Sequence, residues 1–374
     1  MTPGQAVAQA APRKKTIHQI ESLRIMAMGS IFLYHIWSVL PGFNDANPLG
    51  AWFGDLLSQG YLGVVVFNAM TGFLLAMPHV GAGARPVPGM REYFSRRFLR
   101  ICPQYFISLV IFSIAALAAG TYSPGALAGK FVEHALFLHT FDAATFFSIV
   151  PAYWWMGLLA QFYLIFPLVI GLYGKLGAGR GFTAIGVVCW GGWYFLGQAA
   201  AASPGSAAAL VDYMLFYNIP ARLPEFALGM FLATLWKEKS AGLSAPGTLA
   251  LSVSLAGLAA GLAGFLAAGL IPAPLVFKHI FLIAGCIGSA LFLFLTPVMS
   301  RLGAAPAVAM GGAASYSFYL LHQPLVGYGA DLLRGSMPPF QAFVVVAVLA
   351  GIVAYIGARW LDALAARLLA ALDG

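Results

Sequence analysis

The stretch IESLRIMAMGSIFLYHIWSV, Ile20–Val39, decides how this chain folds. It is nearly all apolar and has the length of one helical membrane crossing, about 20 residues. Within it sit Arg24 and His35, eleven residues apart. At 100° per residue the two side chains fall within about 20° of one helical face, separated by roughly 16 Å of rise. Ionisable groups inside a span are costly to bury and mark functional positions by default. Two readings stay open for the pair alone. Arg24 can snorkel to the interface beside a structural histidine, or His35 can take a proton from a hydroxyl nucleophile, as an imidazole does near working pH.

The rest of the chain has the same solvent. Of 374 residues, 61% are hydrophobic and 9% charged, against about 25% charged in an ordinary soluble domain. Lipid must therefore cover much of the surface, and the 43 glycines suit close helix contacts in lipid. Cys102, Cys189 and Cys286 lie in or at the ends of separate apolar stretches; an odd number so placed argues against a disulfide framework and gives no metal spacing.

Apolar stretches long enough to cross lie near 17–40, 61–80, 99–120, 151–173, 181–200, 218–236, 246–270, 277–297, 311–332 and 340–361. The expected fold is an all-α polytopic bundle of about ten transmembrane helices. Residues 1–16 and 362–374 are then tails around one membrane domain, 17–361. Lys130–Val150 (KFVEHALFLHTFDAATFFSIV) is aromatic but holds Glu133, His134, His139 and Asp142, and reads as an interfacial or re-entrant piece. His134 and His139 lack a clear third ligand, so no metal is expected. No cleavable signal peptide is expected either, since Arg13-Lys14-Lys15 leads straight into a full span.

With the N-terminus inside, only Lys130, Lys278 and Arg334 fall on external segments; nearly all the other lysines and arginines are cytoplasmic. That bias sets both termini in the cytoplasm and accounts for the net charge of +8 without nucleic acid.

Three further places hold candidate chemistry. Arg96, Arg97 and Arg100 crowd one span boundary, where Arg96 and Arg100 share a helical face. Topology explains such a run, and so does phosphate binding by guanidinium forks. Arg222 and Glu225 stand one turn apart, as a structural pair or a substrate contact. Ser315, Tyr319 and His322 form a polar stripe on one face, and such a stripe turns inward for packing or for a site.

Taken together, these elements resemble the membrane-bound acyltransferase-3 family over about residues 17 to 360. The matching elements, in order, are Arg24 with Tyr34-His35; Gly63-Val64, Phe67 and Gly72-Phe73; Arg96, Arg97, Arg100, Ile101 and Pro103. They continue with Phe162-Tyr163-Leu164 and Pro167; Arg222, Glu225, Phe226 and Gly229; and Ser315 through Pro324. The resemblance implies transfer of an acyl group, usually acetyl, from cytoplasmic acyl-CoA to a hydroxyl of a surface or exported carbohydrate. Acyl-CoA is then a donor substrate, with no permanently bound cofactor. Such an enzyme is a multi-pass protein of the bacterial inner membrane, with the bilayer and a glycan acceptor as its other partners.

By the same resemblance His35 is the general base or the relay of the acyl transfer, and Arg24 contacts or admits the donor. Arg96, Arg97 and Arg100 suit the coenzyme A phosphates. Tyr34, Gln161, Tyr163, Arg222, Glu225, Ser315, Tyr319 and His322 are expected to line the acceptor side or the cavity. The chain departs from the pattern at Trp154–Gln161 (WWMGLLAQ), where many members carry a glutamate; Gln161 can offer a hydrogen bond there. The short run after Arg359 predicts that transfer is completed within the membrane domain or by a separate partner. The alternative is a transporter or flippase that uses the intramembrane Arg, Glu and His as a pathway; inverted repeats would favour it, and none is visible.

Overall fold

The computed structural model describes residues 17–81, 83–202, 214–243 and 275–372, with 259, 261, 263 and 264. No strand occurs among them. The helices are α1 (His18–Ser38), α2 (Gly63–Ala76), α3 (Met90–Ala118), α4 (Pro124–Ala135), α5 (Trp154–Leu176), α6 (Ala178–Ala201), α7 (Ile219–Leu243), α8 (Leu275–Leu295), α9 (Pro297–Ala304), α10 (Pro306–Leu333) and α11 (Pro339–Leu372). Two short helices, Phe43–Ala46 and Ala51–Ser58, and single 3-10 turns join them.

Among the described residues, four helical stretches are long and apolar enough to cross a bilayer: Ala51–Ala76, Met90–Ala118, Pro151–Leu176 and Pro339–Ala371. Leu164, Leu168, Ile352 and Ile356 point outward from these stretches, all more than half exposed, as lipid-facing side chains must. The chain is an integral membrane protein.

Three boundaries differ from the sequence reading. The second stretch starts at Ala51, because Ala51–Ser58 runs through the turn Gln59–Leu62 into α2. The third starts at Met90, so the basic run lies on the first turns of α3. After residue 361 the chain stays helical to Leu372, since LDALAARLLAAL is built from strong helix formers. Asp362 on this extension accepts a hydrogen bond from Ser317 of α10. Residues 1–16 and most of the expected span 246–270 lie outside the described residues.

Helix α1 is the hub and packs on α2, α8, α9, α10 and α11. Side-chain pairs give the relative directions. Arg24 meets Gly312 while His35 meets Gln323, so α1 and α10 run parallel. Asn68 meets Glu225 while Phe73 meets Trp236, so α2 and α7 run parallel. Their backbones nearly touch, and two motif glycines explain how: a Cβ at Gly72 would collide with the Phe226 carbonyl, and one at Gly229 with that of Ala69. Small residues at such crossings allow close packing in lipid. Helix α3 runs antiparallel to α5 (Tyr93 with Tyr163, Ser108 with Tyr153), and α10 antiparallel to α11.

Candidate functional site

Arg24 and His35 both face α10. The Arg24 guanidinium donates to the Glu21 carboxylate at 3.0 and 3.1 Å and to the Gly312 carbonyl at 3.4 Å. A side chain at Gly312 would strike that carboxylate, so the glycine admits the pair to the α10 backbone. About three turns further along, His35 Nδ1 lies 3.4 Å from Gln323 Nε2.

A cavity of about 260 Å³ opens beside Arg24 between α1, α2, α3, α5 and α10. It is smaller than the roughly 300–1,000 Å³ that enclose a drug-sized molecule, and suits a narrow chain better than a whole nucleotide. One end is cationic: Arg24, Arg97 and Arg100. Val64, Phe67, Met70 and Leu159 give it apolar walls, Ile31, Trp155 and Tyr319 also line it, and Asp362 adds one carboxylate. Ser315 and Tyr163 also line it. Two buried polar atoms, Arg97 Nε and Gln104 Oε1, find no partner among the described residues, and both residues line this cavity. Arg96 does not. It pairs with Glu92 on the outer face of α3, both side chains more than half exposed.

Beyond Tyr319 lies the histidine pair. The His35 and His322 ring centroids are 5.2 Å apart, and Tyr319 sits 5.4 Å from His322 and 5.2 Å from Trp155. His322 is fully buried, stacks on Phe318, and donates from Nδ1 to the Tyr319 carbonyl at 2.7 Å. Tyr34 covers His35 from the other side at 5.2 Å, next to Tyr61.

Two motif prolines shape this region. Pro167 has no N–H, which leaves the Tyr163 carbonyl without its helical donor; the Tyr93 hydroxyl supplies one at 3.1 Å. Pro324 likewise frees the Leu320 carbonyl, and the Tyr153 hydroxyl donates to it at 3.2 Å. Each proline thus ties its helix to a buried tyrosine beside the site.

Arg222 and Glu225 belong to a separate buried network. Arg222 donates to Glu225 at 2.9 Å and to the Phe216 carbonyl at 3.0 Å, and its cation lies 4.4 Å from the Phe216 ring. The second Glu225 oxygen accepts from Asn68 at 2.6 Å, and Asn68 accepts from the Trp155 indole at 2.8 Å. His279 of α8 closes the group, 3.4 Å from Arg222. Trp155 is the one member that also walls the cavity. Gln161 lies elsewhere again, donating to Thr140 and Asn218 at 3.1 and 2.6 Å.

The Lys130–Val150 segment folds over the bundle, with Leu136, Leu138 and Phe141 outward and His134, His139 and Thr140 fully buried. The two imidazoles stack at 3.9 Å, and His139 donates to the Tyr153 carbonyl at 2.9 Å. Burial lowers the His139 pKa to about 4, against the hydrogen bonds to Tyr153 and Glu133, which raise it.

Sequence reasoning missed Asn68, Gln104, Trp155, His279 and Gln323. Asn68 was detectable as a polar residue in an apolar stretch, and His279 as half of the Lys278-His279 pair at the start of one. Nothing local marked Trp155 or Gln104.

Compared with known proteins, residues 17–359 match the acyltransferase domain of the acyltransferase-3 family. Acyltransferase MdmB of Streptomyces mycarofaciens is 24% identical over 345 residues, covering 87% of this chain and 83% of that protein. Nodulation protein 10 of Rhizobium leguminosarum bv. viciae is 28% identical over 104 residues, 28% of this chain and 26% of that protein. No solved structure matches.

Proposed function

The chain belongs to the acyltransferase-3 family, and from that premise we propose an integral membrane O-acyltransferase that moves an acyl group, chiefly acetyl, from cytoplasmic acyl-CoA to a hydroxyl of a surface or exported glycan. The observation that supports it most is one cavity lined by three arginines, with a histidine pair behind its Tyr319 wall. In this reading the coenzyme A phosphates stay at the mouth. Arg97 and Arg100 hold them by charge-assisted hydrogen bonds, which suit phosphate oxygens. Arg24, kept in place by Glu21 and the Gly312 carbonyl, flanks the entrance. Gln104 Oε1 takes an amide N–H of the pantetheine arm, which satisfies an atom otherwise buried without a donor.

The arm then runs along Phe67, Met70 and Leu159 and brings its thioester toward Tyr319 and Trp155. The proton chemistry belongs to His35 and His322, with His35 the more accessible ring. Orienting thioester and hydroxyl in one dry site supplies much of the rate, since well-placed reactants remove a large entropic barrier. Arg222 and Glu225 hold α2, α7 and α8 together and position Trp155 through Asn68.

In the same proposal the chain spans the bacterial inner membrane about ten times with both ends cytoplasmic. The helix directions support it: α1 and α10 parallel, α2 and α7 parallel, α10 and α11 antiparallel. This arrangement sets Arg97 and Arg100 at the cytoplasmic face, where acyl-CoA is found.

The test is coenzyme A release from radiolabelled acetyl-CoA by purified protein in detergent, wild type beside His35→Ala. The proposal expects thiol release that the variant loses while remaining monodisperse. Equal release by both would remove the histidine from the reaction; no binding and no release by folded wild type would remove acyl-CoA.

A further inference from the structure

Gln323 is held at both ends of its amide. Its Oε1 accepts the backbone N–H of Ala152, in the turn Pro151–Tyr153 ahead of α5. A backbone N–H can only donate, so the carbonyl end of the amide is fixed there and the NH2 end is turned toward His35 Nδ1, 3.4 Å away. An amide NH2 can only donate as well. His35 Nδ1 must therefore accept, and the neutral ring carries its proton on Nε2.

His322 has the opposite pattern. Its Nδ1 faces the Tyr319 carbonyl at 2.7 Å, and a carbonyl can only accept. The His322 proton is thus on Nδ1, and Nε2 is bare. That Nε2 is a buried atom with no partner among the described residues. A buried acceptor without a donor is costly, and a proton delivered to it would relieve that cost.

We infer that Gln323 is the positioning residue that sets this protonation pattern, and that the two rings divide the work: His35 presents an N–H, while His322 takes the proton of the acceptor hydroxyl. The inference rests on the acyltransferase reading of the cavity. As the hydroxyl oxygen bonds to the thioester carbon, its proton passes to His322 Nε2. The His35 N–H donates a hydrogen bond to the carbonyl oxygen while that oxygen holds negative charge, as an oxyanion donor does. The C–S bond then breaks, and the His322 proton goes to the departing thiolate. Ester and thiol are formed, and both rings return to their starting state. His35 acting alone as base would need a bare Nε2 and a proton on Nδ1, the arrangement that the Gln323 NH2 opposes.

The test is nitrogen NMR of purified protein carrying 15N-labelled histidine, with His35→Asn and His322→Asn used to assign the two rings. The expected spectrum has a pyridine-type nitrogen at His35 Nδ1 and at His322 Nε2. Gln323→Glu should reverse the first, because a carboxylate accepts from Nδ1–H while still serving the Ala152 N–H. Gln323→Met, which keeps the length but donates nothing, should leave His35 as a mixture of tautomers and lower kcat with little change in the donor KM. His35 protonated on Nδ1 in wild type, or a His35 spectrum indifferent to both substitutions, would overturn the role of Gln323. His322 protonated on Nε2 in wild type would overturn the division of work. These spectra need no substrate, so their outcome is independent of whether acetyl-CoA proves to be the donor.

Discussion

Among the described residues, two arginine–glutamate pairs stand three positions apart within one helix, Arg24 with Glu21 and Arg222 with Glu225, and they do different things. In the second pair both carboxylate oxygens are occupied, by Arg222 and Asn68, and Arg222 also donates to the Phe216 carbonyl and lies over its ring. Its side chains are 3% and 0% exposed. The first pair is 19% and 17% exposed, and Arg24 lines a cavity whose atoms Arg97 Nε and Gln104 Oε1 have no partner among the described residues. Identical chemistry at identical spacing is structural where it is saturated, and available to a ligand where the surroundings leave polar atoms unmatched.

Substitutions separate the two regions. The largest expected effect is on the saturated network. Glu225→Ala leaves the Arg222 cation buried without its counter-charge, a loss of about 3–5 kcal/mol, seen as a large drop in thermal stability of the purified protein in detergent. Exchanging Arg222 and Glu225 should restore only part of it, because a carboxylate would then face the Phe216 carbonyl and a guanidinium the Asn68 NH2. If the exchange rescues stability but not turnover, the pair also touches substrate.

Gln104→Leu should act in the opposite sense. Removing an unmatched buried carbonyl leaves stability unchanged or raises it by about 1 kcal/mol, while the donor KM rises several-fold. A destabilised Gln104→Leu would mean that the oxygen is already satisfied, and the contrast between the regions would fail.

A smaller effect concerns the segment over the bundle. His139 is held down to about 4 by burial, below the ordinary value of 6.5. The unfolded chain therefore binds more protons than the folded one as pH falls through this window, and stability declines from about pH 6.5 toward pH 4. Melting in detergent at pH 7.5, 6 and 5 should record the decline, and His139→Gln should make it shallower, the stacked His134, also lowered by burial, keeping the rest. An equally steep decline in the variant would assign the acid sensitivity to other groups.

Much of this was legible in the sequence because membrane helices leave few places to hide a charge. The run Ile20–Val39 gave α1 to within about a turn, and its period put Arg24 and His35 on one face, the face that α10 covers. The basic run was legible as a cluster but not as a surface. Arg96 turns to Glu92 and solvent while Arg97 and Arg100 line the cavity, and the helix phase relative to α5 and α10 decides this. Gln161, expected near the site from its motif, instead ties α5 to Thr140 and Asn218. Gln323 was quoted as part of a motif, yet its role needs Ala152, which lies 171 positions away. No periodicity encodes a contact that a backbone N–H of a distant turn creates.

The most direct test of the account is equilibrium binding of acetyl-CoA to purified, folded protein, comparing Arg97→Ala/Arg100→Ala with Arg96→Ala. Each charge-assisted hydrogen bond lost should cost about 1.5–3 kcal/mol, so the double variant should bind at least a hundredfold more weakly while Arg96→Ala binds as wild type does. Equal affinity in all three proteins would contradict the assignment of the arginine-lined cavity as the donor site.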